Sequence, residues 1–173
     1  AFLAMSENSY GLQAFLRRQA ARIGGLALLA FVAFAVAALA TWNVADPSFS
    51  HATANPVTNA MGYPGAVFSD LAMQFYGLAA LVGLVPAVCW GALLLLGREI
   101  DRGLKRAGAW FLGAVLAAGI VGAFAPPATW PLPTGLGGVL GDAILSLPAK
   151  FTGAYPRGIF GFVIAAVLAL PSG

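Results

Sequence analysis

The sequence predicts an all-α membrane protein. Four transmembrane helices form two hairpins, with a short interfacial or re-entrant helix in each of the two outer connections. Three observations predict this. The chain of 173 residues is 60% hydrophobic and only 9% charged, against about 25% charged in a typical soluble domain. Four apolar runs recur along it, three of them close to the roughly 20 residues that cross a hydrocarbon core. The basic residues gather in alternate connections, which is the charge bias of a polytopic membrane protein. A soluble chain of this composition would expose apolar patches large enough to aggregate.

The first residues, AFLAMSENSYGLQAF, do not read as a cleavable signal. The apolar run behind them is too long, and no Ala-x-Ala site follows. The lack of an initiator Met implies that the start of the gene product is missing here. In Ser6–Arg22, Leu12, Phe15, Leu16 and Ala20 recur near helical spacing beside Arg17, Arg18 and Arg22. Two readings fit this segment. It lies on the membrane surface, or it is the ordinary positive flank of the first span. Residues 1–22 are therefore expected to be a cytoplasmic juxtamembrane segment, and residues 23–173 a four-span membrane domain.

Ile23–Trp42 is the first expected span, uncharged throughout, with Trp42 at its far end, where an indole prefers the interface. Phe75–Gly97 is the second and holds Pro86, which removes a backbone donor and is expected to kink it. Arg98, Arg102, Lys105 and Arg106 follow, mixed with Glu99 and Asp101. Ala107–Ala125 is the third run, stopped by Pro126 and Pro127. The last, Gly158–Pro171, is too short to span, and Pro148, Lys150, Pro156 and Arg157 interrupt the chain before it. It is expected to continue past Gly173.

Charge placement sets the orientation. Arg17, Arg18, Arg22 and the Arg98–Arg106 loop are basic, while Trp42–Gln74 and Pro126–Pro148 hold no Lys or Arg. The positive-inside rule puts the basic segments and both termini in the cytoplasm, and the two longer connections outside. Lys150 and Arg157 then fall on the outer side, where they can snorkel to headgroups. Gly65-Ala66-Val67-Phe68-Ser69-Asp70 and Gly137-Gly138-Val139-Leu140-Gly141-Asp142 have similar patterns. Each follows a Pro/Gly turn and carries one Asp, so the two hairpins share a shape.

Candidate chemistry is sparse. Asp70, Gln74 and Asp142 are the polar residues nearest to membrane depth, and an ionisable group there is a functional candidate by default. The alternative is an interfacial Asp near the start of a short helix, favoured by the free N–H groups and the dipole. His51, the single histidine, lies in an outer connection without companion ligands, so it reads as a solvated loop residue and not as a haem or metal ligand. Cys89 reads as a small packing residue. Gly135–Asp142 lacks the Gly-Lys-Ser/Thr ending of a phosphate loop. Gly137 and Gly141, together with Ala109, Gly113 and Ala117, and with Ala33 and Ala37, read as small faces for close helix packing. No nucleophile–base pair, paired carboxylates or aromatic-interleaved basic surface is present. Neither a cofactor, a small-molecule substrate nor nucleic acid is expected to bind this chain.

The outer connections carry a more specific pattern. Trp42-Asn43-Val44-Ala45-Asp46-Pro47-Ser48-Phe49 comes first, then Asn55-Pro56-Val57, Asn59 and Gly62-Tyr63-Pro64-Gly65-Ala66. Ser69-Asp70-Leu71 and Gln74-Phe75-Tyr76-Gly77 follow, and later Gly135 to Asp142. Together they resemble the N-terminal four-span membrane domain of the FtsK/SpoIIIE DNA translocases, from about Arg22 onward. The resemblance implies a bacterial inner-membrane anchor at the division septum, serving cell division and chromosome segregation. It implies that the ATP- and Mg-dependent motor, which moves DNA, lies in residues this chain does not contain. The implied partners are the lipid bilayer, other division proteins and copies of the chain itself. The residues that would form or support the outer interaction face are Trp42, Asp46, Pro47, Tyr63, Pro64, Gly65, Asp70, Gly137, Gly138 and Asp142. Two further readings stay open. One is a small accessory subunit of a respiratory or photosynthetic complex. The other is a transporter or enzyme using Asp70 and Asp142.

Overall fold

The computed structural model describes residues 2–98 and 100–153. Those residues form helices and no strand: α1 (Phe2–Ala40), α2 (Gly62–Tyr76), α3 (Ala79–Leu95), α4 (Gly103–Gly122) and α5 (Gly138–Thr152). The fourth expected run, Gly158–Pro171, lies outside them.

α1 is 39 residues long and does not break where the arginines give way to the apolar run. Leu12–Ala21 is built from Leu, Gln, Ala and Arg with one Phe, nearly all strong helix formers. The arginine-bearing segment is thus continuous with the helix of the expected first span. The helix stops at Ala40, two residues short of Trp42. Just beyond, Thr41 Oγ1 donates to the Ala37 carbonyl at 2.7 Å.

Gly11–Ala40 and Gly103–Gly122 are long and apolar enough to cross a membrane, and α2 with α3 makes a third candidate only as a pair bent by 110°. The expected second span is corrected accordingly. Phe75 and Tyr76 end α2, and α3 begins only at Ala79. The bend is set by Gly77, whose φ of 57° is left-handed, a conformation glycine adopts without steric cost. The Leu78 N–H leaves the helix ladder and donates to the Leu136 carbonyl at 2.9 Å. α3 runs through Pro86 as one helix of 17 residues. α4 starts before the predicted Ala107 and stops at Gly122, short of Pro126.

Small residues set how closely the helices approach, as expected where packing and not water drives association. Gly137 and Gly141 pack as predicted, both against Ala118 and Gly122 of α4, while the stripes on the other helices differ from those predicted. α3 buries Ala79, Gly83, Ala87 and Gly91, one residue per turn. α1 meets it with Gly25. A Cβ there would lie 2.6 Å from the Leu95 nitrogen and 2.7 Å from the Gly91 oxygen. The buried face of α1 is Val32, Ala35 and Ala38, while the predicted Ala33 is exposed. α4 buries Ala114, Ala118, Gly119 and Gly122. It receives α5 there, with Gly141 and the fully buried Leu145 against Gly122 and Gly119 under Ile144. Gly113 serves no such contact, since nothing lies within 4 Å of a Cβ built on it. Cys89 is exposed on α3 and does not pack inside.

α2 and α5 are a structural pair. Each has 15 residues, starts on a left-handed glycine (Gly62, Gly138) and stops at another (Gly77, Gly153). The same shift takes Ser69 to Leu145, the two largest fully buried side chains. In this register Asp70 matches Ser146, and Asp142 matches Ala66. The sequence similarity that pairs Asp70 with Asp142 is about one helical turn out of step.

Candidate functional site

The polar residues of the two long connections gather at one end of the bundle, where α1 and α4 finish and α2 and α5 begin. Residues 41–61 fold over this end around two buried side chains. Asp46 is 3% exposed. Its carboxylate accepts from the Thr58 N–H at 2.9 Å, the Thr58 hydroxyl at 2.7 Å and the Asn59 N–H at 2.9 Å. Such charge-assisted bonds hold a buried carboxylate without a cation. Asn59 faces the other way. Its Nδ2 donates to the Ala38 carbonyl at 2.8 Å, to the Thr41 carbonyl at 3.3 Å and to Ser69 Oγ at 3.3 Å. Its Oδ1 accepts from the Met61 N–H at 3.0 Å. Asp46 and Asn59 thus join the end of α1, the connection and α2 into one unit. Pro47 is half-buried beside Asp46, and Gly65 is buried under Asn59. A Cβ on Gly65 would overlap Asn59 Oδ1.

A second cluster forms around Asp70, which is 6% exposed. Its Oδ2 accepts from Ser48 Oγ at 2.6 Å, from Ser50 Oγ and from Gln74 Nε2 at 2.9 Å. Gln74 Nε2 also donates to Ser50 Oγ at 2.6 Å. The expectation of an Asp near a helix start is corrected for Asp70, which lies two turns into α2, while Asp142 is one turn into α5. Side chains, not the helix N-terminus, hold Asp70.

Asp70 lines a cleft of about 630 Å³ between the two connections, with Ser50, His51 and Gln74 on one wall and Leu132, Pro133, Thr134 and Val139 on the other. Asp142 is not among the lining residues; its Oδ1 is 3.7 Å from a Cβ built on Gly135. The structure does not bring the two carboxylates to this cleft together. His51 is exposed at the rim, and its backbone N–H donates to Ser48 Oγ at 3.2 Å. Among the described residues no group of three His, Cys, Asp or Glu is placed to hold a metal.

Aromatic and glycine contacts fix the two connections to each other. The Trp42 and Trp130 rings are 6.2 Å apart at 44°, and Trp130 Nε1 donates to the Thr134 carbonyl at 3.0 Å. Trp42 Nε1 is buried without a partner among the described residues. Gly138, at φ 64°, sits against the backbone of Gln74 and Phe75, and Gly137 against the Ala118 carbonyl. A Cβ on Gly137 would overlap that oxygen. Tyr63 and Pro64 are exposed on the first turn of α2. The hydrogen-bonding roles of Thr58, Asn59, Ser48, Ser50 and Ser69 were not foreseen. Their density between two apolar runs was the available signal. The arrangement offers a shaped polar surface over two buried carboxylates, Asp46 and Asp70.

No solved structure matches the chain. Its sequence is 61% identical over 170 residues to a DNA translocase FtsK of Mesorhizobium japonicum, covering 98% of this chain and 19% of that protein. A DNA translocase FtsK of Rhizobium meliloti is 51% identical over 172 residues, 99% of this chain and 20% of that protein. One of Caulobacter vibrioides is 36% identical over 143 residues, 77% of this chain. The chain spans about a fifth of the length of these curated relatives. The family described as the 4TM region of DNA translocase FtsK/SpoIIIE matches residues 17–172. With its apolar helices and paired polar connections, the chain belongs to that family of translocase membrane regions.

Proposed function

We propose that this chain is the membrane anchor and interaction domain of a DNA translocase acting in cell division and chromosome segregation. The match to the 4TM region over residues 17–172 carries the reading. Four spans form two hairpins in the bacterial inner membrane, with both termini cytoplasmic and the polar end of the bundle outside. The basic residues support this orientation, because Arg17, Arg18, Arg22 and Arg98–Arg106 all lie away from the Asp46 and Asp70 clusters along the chain. The domain performs no catalysis; ATP and Mg belong to the motor. Its cleft around Asp70 is the surface that other division proteins, or further copies, engage at the septum.

Alkaline phosphatase fused after Ala54 should be active, and after Leu104 inactive; the reverse pattern would refute the orientation. A full-length relative lacking residues 17–172 should lose septal localisation while its purified motor still moves DNA. Retained localisation would refute the anchoring role.

A further inference from the structure

A groove of about 500 Å³ runs between α3 and α4, away from the polar end of the bundle. Val82, Pro86 and Trp90 form one wall, and Arg106, Trp110 and Gly113 the other. We propose that it is a binding site for an anionic phospholipid, with the phosphate on Arg106 and one acyl chain lying along the groove toward Gly113.

Four observations lead there. The walls are apolar except for one cation, Arg106, near the start of α4. Among the described residues Arg106 has no carboxylate partner, and a guanidinium matches phosphate oxygens in a planar fork. Basic pockets between membrane helices are where anionic headgroups settle. The indoles are fixed as walls, not loosely placed. Trp110 Nε1 donates to the Gly83 carbonyl at 2.6 Å, and the Trp90 and Trp110 rings meet at 6.1 Å and 66°. The floor is open at Gly113, where a Cβ would meet nothing within 4 Å. From Arg106 to Ala114 the helix rises about 12 Å at roughly 1.5 Å per residue, room for much of an extended acyl chain. A partner helix suits the site less well, since axes pack about 8–10 Å apart and its backbone would have to bury Arg106 without an anion.

The site is tested with the full chain in phosphatidylcholine vesicles that carry a brominated lipid, which quenches tryptophan fluorescence on contact. Brominated phosphatidylglycerol should quench at about fivefold lower mole fraction than brominated phosphatidylcholine. Arg106→Gln should abolish that preference, and Arg106→Lys should keep part of it. Arg102→Gln, outside the groove, should leave it unchanged. Gly113→Leu should weaken quenching by both lipids by filling the floor. Equal quenching by the two lipids in the unaltered chain overturns the proposal, and that comparison needs no variant to fold. So does a preference that survives Arg106→Gln, or an unaffected Gly113→Leu.

Discussion

At the scale of single residues, Asp46 and Asn59 have opposite electrical tasks and so opposite tolerances. Asp46 faces only donors. Its replacement by Ala leaves the buried Asn59 N–H unmet and takes the acceptor from the exposed Thr58, at a cost of about 2 kcal/mol. Asn59 donates to the Ala38 and Thr41 carbonyls. Asn59→Asp therefore points a carboxylate at two oxygens and should destabilise the chain more than Asn59→Ala. Chemical denaturation of the purified chain in detergent measures both. Equal losses for Asn59→Asp and Asn59→Ala would contradict the donor assignment. Asp46 was legible as a site residue only through the Trp-Asn-x-x-Asp-Pro-Ser pattern of the resemblance. Its partners were not, because a Thr or Asn shows no bonding direction until the connection folds back over the end of α1.

At the scale of elements, the joint between α2 and α5 is made of backbone. Gly77 meets Leu136 and Gly138 meets Gln74, both glycines at positive φ. Gly77→Ala or Gly138→Ala adds a left-handed penalty of roughly 1–2 kcal/mol, and each new methyl also collides with main chain that cannot move aside. Both should lower the melting temperature of the detergent-solubilised chain markedly. Gly108→Ala, inside α4 with nothing within 4 Å of its Cβ, should instead stabilise the chain by about 0.5–1 kcal/mol. The sequence signalled short helices after Pro/Gly turns, and they are present. It misplaced their register, because similarity of small and apolar residues cannot distinguish positions one turn apart. Only the glycine φ angles mark matching ends.

At the scale of the whole molecule, helix content and the alternation of apolar runs with polar connections could be read from composition and charge alone. The bend after α2 could not. Hydropathy scored Phe75–Gly97 as one run, since a left-handed glycine is as apolar as any other. The membrane reading makes Cys89 a depth marker, being exposed on α3. A lipid-soluble maleimide should modify it in intact vesicles, and a charged maleimide should not. Rapid labelling by the charged reagent would place that face in water.

The unbroken length of α1 has a mechanical consequence. Its 39 residues measure about 58 Å at roughly 1.5 Å each, nearly twice a hydrocarbon core of about 30 Å. Tilt within the usual range of about 0–40° cannot absorb the excess. One end must stand clear of the bilayer as a stiff mast. Whatever attaches near Phe2 is then held at a set height above the lipid, and a bending force applied there acts on the Gly25–Gly91 crossing as its fulcrum.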